Sequence, residues 1–90
     1  MTKYYHRYVG NLYYRHYGKE RMQQILINDP NGILEVAKEK ANSLKVTSLT
    51  IVVGYYSEDT NVNAYNEWHF YKWDEEAKEF VFTHKTTDKP

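Results

Sequence analysis

The sequence predicts an α+β protein built on a single antiparallel sheet of five or six strands, in the order β-β-(β)-α-β-β-β, with one helix packed on one face. Three observations carry that expectation. Aromatic and β-branched residues gather in short runs bounded by Gly, Asn and Asp, as half-buried strands do. One stretch alone, 30–44, spaces its apolar residues for a helix. Near each end of the chain, two β-prone runs flank a short turn-forming segment, which is the pattern of a hairpin. Ninety residues make one domain, 1–90. A chain of this length buries about 60 to 65% of the surface it would expose unfolded, so the core is modest.

Residues 3–9 and 12–17 are rich in tyrosine and flank Gly10-Asn11. Gly followed by Asn between two such runs signals a two-residue turn. The expected hairpin sets Val9 opposite Leu12, Tyr8 opposite Tyr13, His6 opposite Arg15 and Tyr4 opposite Tyr17. Side chains alternate along a strand, so Tyr4, His6, Tyr8, Tyr13, Arg15 and Tyr17 would share one face. The other face, with Val9 and Leu12, is the expected core side. Residues 19–28 fit either a helical stripe (Met22, Ile25, Leu26) or a strand. A third antiparallel strand over 21–27 is the reading adopted, with Tyr17-Gly18-Lys19 as a further tight turn.

Asp29 and Pro30 open the helix, the first as an acceptor for orphan N–H groups and the second where no N–H is needed. Ile33, Leu34, Ala37, Ala41 and Leu44 form its apolar stripe. Residues 45–56 then read as a strand with Leu49, Ile51, Val53 and Tyr55 under the helix, and Gly54 marks a bulge or bend. A polar loop, 57–63, leads to a second hairpin of 64–73 and 79–85. In it Trp68 and Phe70 share one side, and His69, Tyr71 and Trp73 the other. Residues 86–90 read as a frayed polar tail.

Composition narrows the function. Without cysteine there is neither a disulfide framework nor a thiolate metal site, and no phosphate-binding glycine loop or nucleophile elbow occurs, so no cofactor and no metal is expected. The opening MTKYYHRYVG lacks the apolar segment of a secretory signal, and no run is long enough to span a membrane, which makes the cytoplasm the expected location. The net charge of zero conceals an asymmetry. Up to Arg21 five cations face only Glu20, a net +4, and from Met22 onward seven lysines face eleven carboxylates, a net −4.

One helix of about fifteen residues cannot cover so wide a sheet, so part of its aromatic surface must be solvated, paired or used for binding. The expected binding residues are Tyr4, His6, Tyr8, Tyr13, Arg15 and Tyr17. The expected function is non-enzymatic: protein interaction of an inhibitor or adaptor type, with self-association as a homodimer included. Two further readings compete. Tyrosines beside Arg and Lys are also the ingredients of a single-stranded nucleic-acid platform, in which bases stack and cations neutralise phosphates. A small acid-base enzyme would need Glu67, His69 and His84 to converge on one face of the second hairpin.

Overall fold

A computed structural model of the chain describes residues 3–87. Its elements are β1 (Tyr4–His16), β2 (Lys19–Ile25), α1 (Pro30–Lys40), β3 (Lys45–Ser57), β4 (Asn63–Asp74) and β5 (Glu79–Thr86). All neighbouring strands are antiparallel, in the spatial order β2-β1-β3-β4-β5. The fold class is the one the sequence predicts, in its five-strand form, with α1 between β2 and β3 packed on one face of the sheet.

The first hairpin differs from expectation. β1 runs straight through Gly10-Asn11: Gly10 pairs with Ile25 on one side and Ile51 on the other, and Asn11 with Gln24 and Thr50. The turn lies at Tyr17-Gly18 instead, where both residues hold positive φ, 52° and 76°, as a type I′ turn requires. Packing explains the glycine. A Cβ added at Gly10 would meet Ile33 Cγ2 of α1 at 2.5 Å and Ile25 Cβ at 3.3 Å. Gly10 serves the close approach of a helix to a strand and makes no turn. The two expected strands are therefore one, and the third expected strand becomes β2.

Asp29 caps α1 by accepting the Asn31 N–H at 3.2 Å, Pro30 follows, and Lys38 and Lys40 sit in the last turn, where the helix dipole favours cations. Ile33 and Ala37 are buried from its inner face, and the small Ala37 lets the helix lie close on the sheet. They join Leu12, Ile25, Val46, Leu49, Ile51 and Val53 in one core cluster. Leu49, Ile51 and Val53 of β3 face the helix side as predicted. Yet α1 has 11 residues and spans about 16 Å, whereas β1 and β3, at 13 residues each, span about 43 Å. Even the helix-side face is covered at one end only.

Irregularities adjust the register. Beyond Gly54 the β3–β4 pairing shifts between Tyr55 and Tyr56. Between β4 and β5 the shift falls at Phe70/Tyr71, so Phe70 pairs with His84 and Tyr71 with Phe82. Thr83 is the extra residue, and its hydroxyl donates to the Phe70 carbonyl at 3.0 Å. Such a bulge also blunts β5 as an edge. Of the expected frayed tail, Thr86 belongs to β5 and pairs with Trp68, while 88–90 lie outside the described residues. No described helix is long and apolar enough to cross a membrane.

Candidate functional site

Because β1 is one strand, the six residues expected on a single face divide between two. Tyr4, His6 and Tyr8 lie on the helix side, in register with Ser57, Tyr55 and Val53. Tyr13 and Arg15 lie on the opposite side. Tyr17, 91% exposed, sits in the turn with its ring against His16 at 4.3 Å. No common face joins them, since an unbroken strand alternates where a hairpin would have mirrored.

On the helix side, beyond the reach of α1, the rings form a ladder. Tyr4 meets Tyr65 edge-on at 6.2 Å, Tyr65 stacks on Tyr55 at 4.4 Å, His6 meets Tyr55 edge-on at 4.5 Å, and Tyr8 follows at 6.2 Å from His6. Glu67 anchors this ladder. Its side chain is 15% exposed and its Oε1 accepts from the Tyr55 hydroxyl at 2.6 Å and from His69 Nε2 at 3.4 Å, while Lys85 Nζ lies 3.9 Å from Oε2. The Tyr55 hydrogen bond is the main reason the Glu67 carboxyl is held below the usual carboxylate range, with His69 and Lys85 assisting and burial opposing. Glu67 and His69 thus meet as the sequence suggested. His84 does not join them: the register shift at Phe70/Tyr71 leaves it on the other face, stacked on Phe70 at 4.6 Å. The expected three-residue acid-base constellation is not assembled, and Lys85 takes the place beside Glu67. A carboxylate already bound by two donors and paired with a lysine holds rings in position more readily than it moves a proton.

This cluster predicts an alkaline transition. The Tyr55 phenol is pushed up to about 12, first by its hydrogen bond to Glu67 and then by burial. Its folded pKa exceeds the unfolded value of about 10, so its stabilisation is complete below pH 10 and disappears as pH rises towards 12. Glu67 runs the other way: its contribution is present above the usual carboxylate range and is lost as pH falls through its lowered pKa. Tyr55→Phe should lower stability at pH 7 by about 1.5 to 3 kcal/mol, the range of a hydrogen bond to a charged group. Urea unfolding measured at pH 7 and at intervals from 10 to 12 should show a shallower alkaline loss in the variant. An unchanged alkaline slope would assign that titration elsewhere.

The opposite face carries no helix at all. Across its middle, Asn11, Thr50 and Phe70 lie in register on β1, β3 and β4, with Val9, Val52 and Trp68 in the next row. At one end Arg7 sits against the rings of Tyr5 and Tyr56, 5.5 and 5.4 Å from their centroids. At the other end the charged residues gather, with Arg15 paired in register to Glu20 and Lys45, and Asp74 to Glu79. Although nothing packs above it, Thr50 is only 7% exposed. Asn11, Tyr13, Glu20, Ser48, Thr50, Trp68 and Phe70 enclose a basin of about 430 Å³ over it. Asn11 Oδ1 is buried there without a hydrogen-bond partner. The shared side of Trp68 and Phe70 was legible from alternation, but nothing local in the sequence marks Asn11 or Thr50.

Comparison of the chain with family models, with curated proteins and with solved structures gives no significant match. Among the described residues no group of three His, Asp or Glu side chains is placed to hold a metal ion.

Proposed function

We propose that the protein is a non-catalytic interaction module that docks on another protein through the uncovered face of its sheet. One observation carries the reading: a full five-stranded face without a helix has aromatic, amide and hydroxyl side chains at its middle and most of its charges at one border. Protein interfaces have that anatomy, with aromatic residues and Met enriched, charge depleted from the core and a polar rim. Met22, half exposed on β2, and Val81 on β5 extend the apolar area. A single-stranded nucleic acid is the weaker fit. The cations of this face, Arg7, Arg15, Lys45 and Lys72, are opposed by Glu20, Asp74 and Glu79, so the surplus available to phosphates is small.

The test compares two tyrosines of β1. A partner retained from nuclease-treated cell extract should bind Tyr13→Ala about ten- to a hundred-fold more weakly, as interface anchors do, and should bind Tyr8→Ala nearly as well as the native chain. Loss in Tyr8→Ala alone would move the site to the helix-side ladder. Oligonucleotide binding with a salt slope steeper than about −3 would replace the protein partner by nucleic acid. Light scattering of the native chain and of Tyr13→Ala reports whether the partner is a second copy.

A further inference from the structure

We propose that the basin on the uncovered face is a receptor for a guanidinium group, an arginine side chain presented by the partner protein. The inference rests on the binding-face reading and names the chemistry that the face selects. Three features of the basin converge on it.

The walls are aromatic, since Tyr13, Trp68 and Phe70 line it. Aromatic faces attract cations, and a planar guanidinium can also stack on them. The only formally charged side chain among the lining residues is a carboxylate, Glu20. Lys72, next to Phe70 in the alternation of β4, lines a neighbouring groove with Asp74, Glu75 and Glu76, and Arg15, cross-strand to Glu20, is not among the residues that line the basin. The floor holds an unpaired acceptor. Asn11 Oδ1 is buried with no hydrogen-bond partner, beside the nearly buried Thr50 with which Asn11 is in register. Buried polar groups are normally paired, and an orphan acceptor in a concave, carboxylate-bearing site is open to a donor from outside.

Guanidinium meets all three conditions together. Its N–H groups can donate to the Asn11 carbonyl while its charge is drawn to the Glu20 side of the basin and its plane lies against a ring. An ammonium is a point charge without that plane, and a phosphate would meet Glu20 with like charge.

The experiment uses the full chain, labelled with ¹⁵N, and three small probes: N-acetyl-arginine methylamide, its lysine counterpart and its uncharged citrulline counterpart. The expected result is a saturable shift of the Trp68 indole and Asn11 side-chain signals by the arginine probe, with Kd in the order of millimolar, as befits one side chain. Lysine and citrulline should bind at least several-fold more weakly. Glu20→Gln, an exposed substitution on an edge strand, should weaken the arginine probe about ten-fold while leaving the rest of the spectrum in place. Absence of a saturable shift, equal binding of citrulline, or indifference to Glu20→Gln would each overturn the assignment. None of these outcomes depends on a partner being found. A partner that is sensitive to Tyr13→Ala but not to Glu20→Gln would leave the binding face standing and remove the guanidinium receptor.

Discussion

Gly10→Ala should lower stability by about 2 kcal/mol, the middle of the range for overpacking a core, and Tm by roughly 10 °C for a domain of this size. The new methyl would stand 2.5 Å from Ile33 Cγ2, a distance at which the helix or the strand must move. Sign alone does not identify the cause, because a glycine needed at positive φ in a turn would also resist alanine. Coupling does. In an Ile33→Ala background the offending methyl is gone, and Gly10→Ala should then be nearly neutral, or favourable where the added carbon fills the space left behind. Ile33→Ala by itself should cost about 2 to 5 kcal/mol, since Ile33 is fully buried. Denaturant unfolding of the four proteins gives the interaction free energy directly. Additive effects of the two substitutions would mean that α1 does not rest on Gly10.

That residue also shows where the sequence stops being legible. The helix announces itself through Asp29, Pro30 and a stripe of matching period, all local features, and it forms where they say. β3 and the β4–β5 hairpin are equally local, being long alternating runs with polar turns between them. Gly10-Asn11 carries the same local signal as a hairpin turn, but what decides its conformation is a helix more than twenty residues away. Tyr17-Gly18 supplies a turn at no such cost, and the strand continues to it. The consequence extends along the strand, because an unbroken β1 sends Tyr13 and Arg15 to the face opposite Tyr4, His6 and Tyr8. His84 departs from expectation through a separate irregularity. A single extra residue, Thr83, sets its side chain across the sheet from Glu67, and bulges leave little mark on composition. The candidate basin draws on β1, β2, β3 and β4, so only the register of the whole sheet could bring Asn11, Glu20, Thr50 and Trp68 together.

Leu12→Ala and Val9→Ala separate the two topologies most sharply. In a hairpin turning at Gly10-Asn11 these residues would be cross-strand partners on one core face, and truncating either would remove comparable contacts. In the continuous strand they point to opposite sides. Leu12 is fully buried between Leu49 and Gln23 beneath the helix, whereas Val9 pairs with Val52 on the uncovered face and is only partly buried. Leu12→Ala should therefore cost about 3 to 4 kcal/mol, a large share of the 5 to 15 kcal/mol that holds a small domain together. Val9→Ala should cost about 1 kcal/mol, because its side chain loses little area from water on folding. Urea midpoints of the two variants provide the comparison, and similar losses would favour the hairpin. The binding face adds a second readout. Val9 borders the surface assigned to the partner while Leu12 lies beneath the sheet, so Val9→Ala should weaken partner binding without unfolding the chain, whereas any loss of binding in Leu12→Ala should track the fraction unfolded.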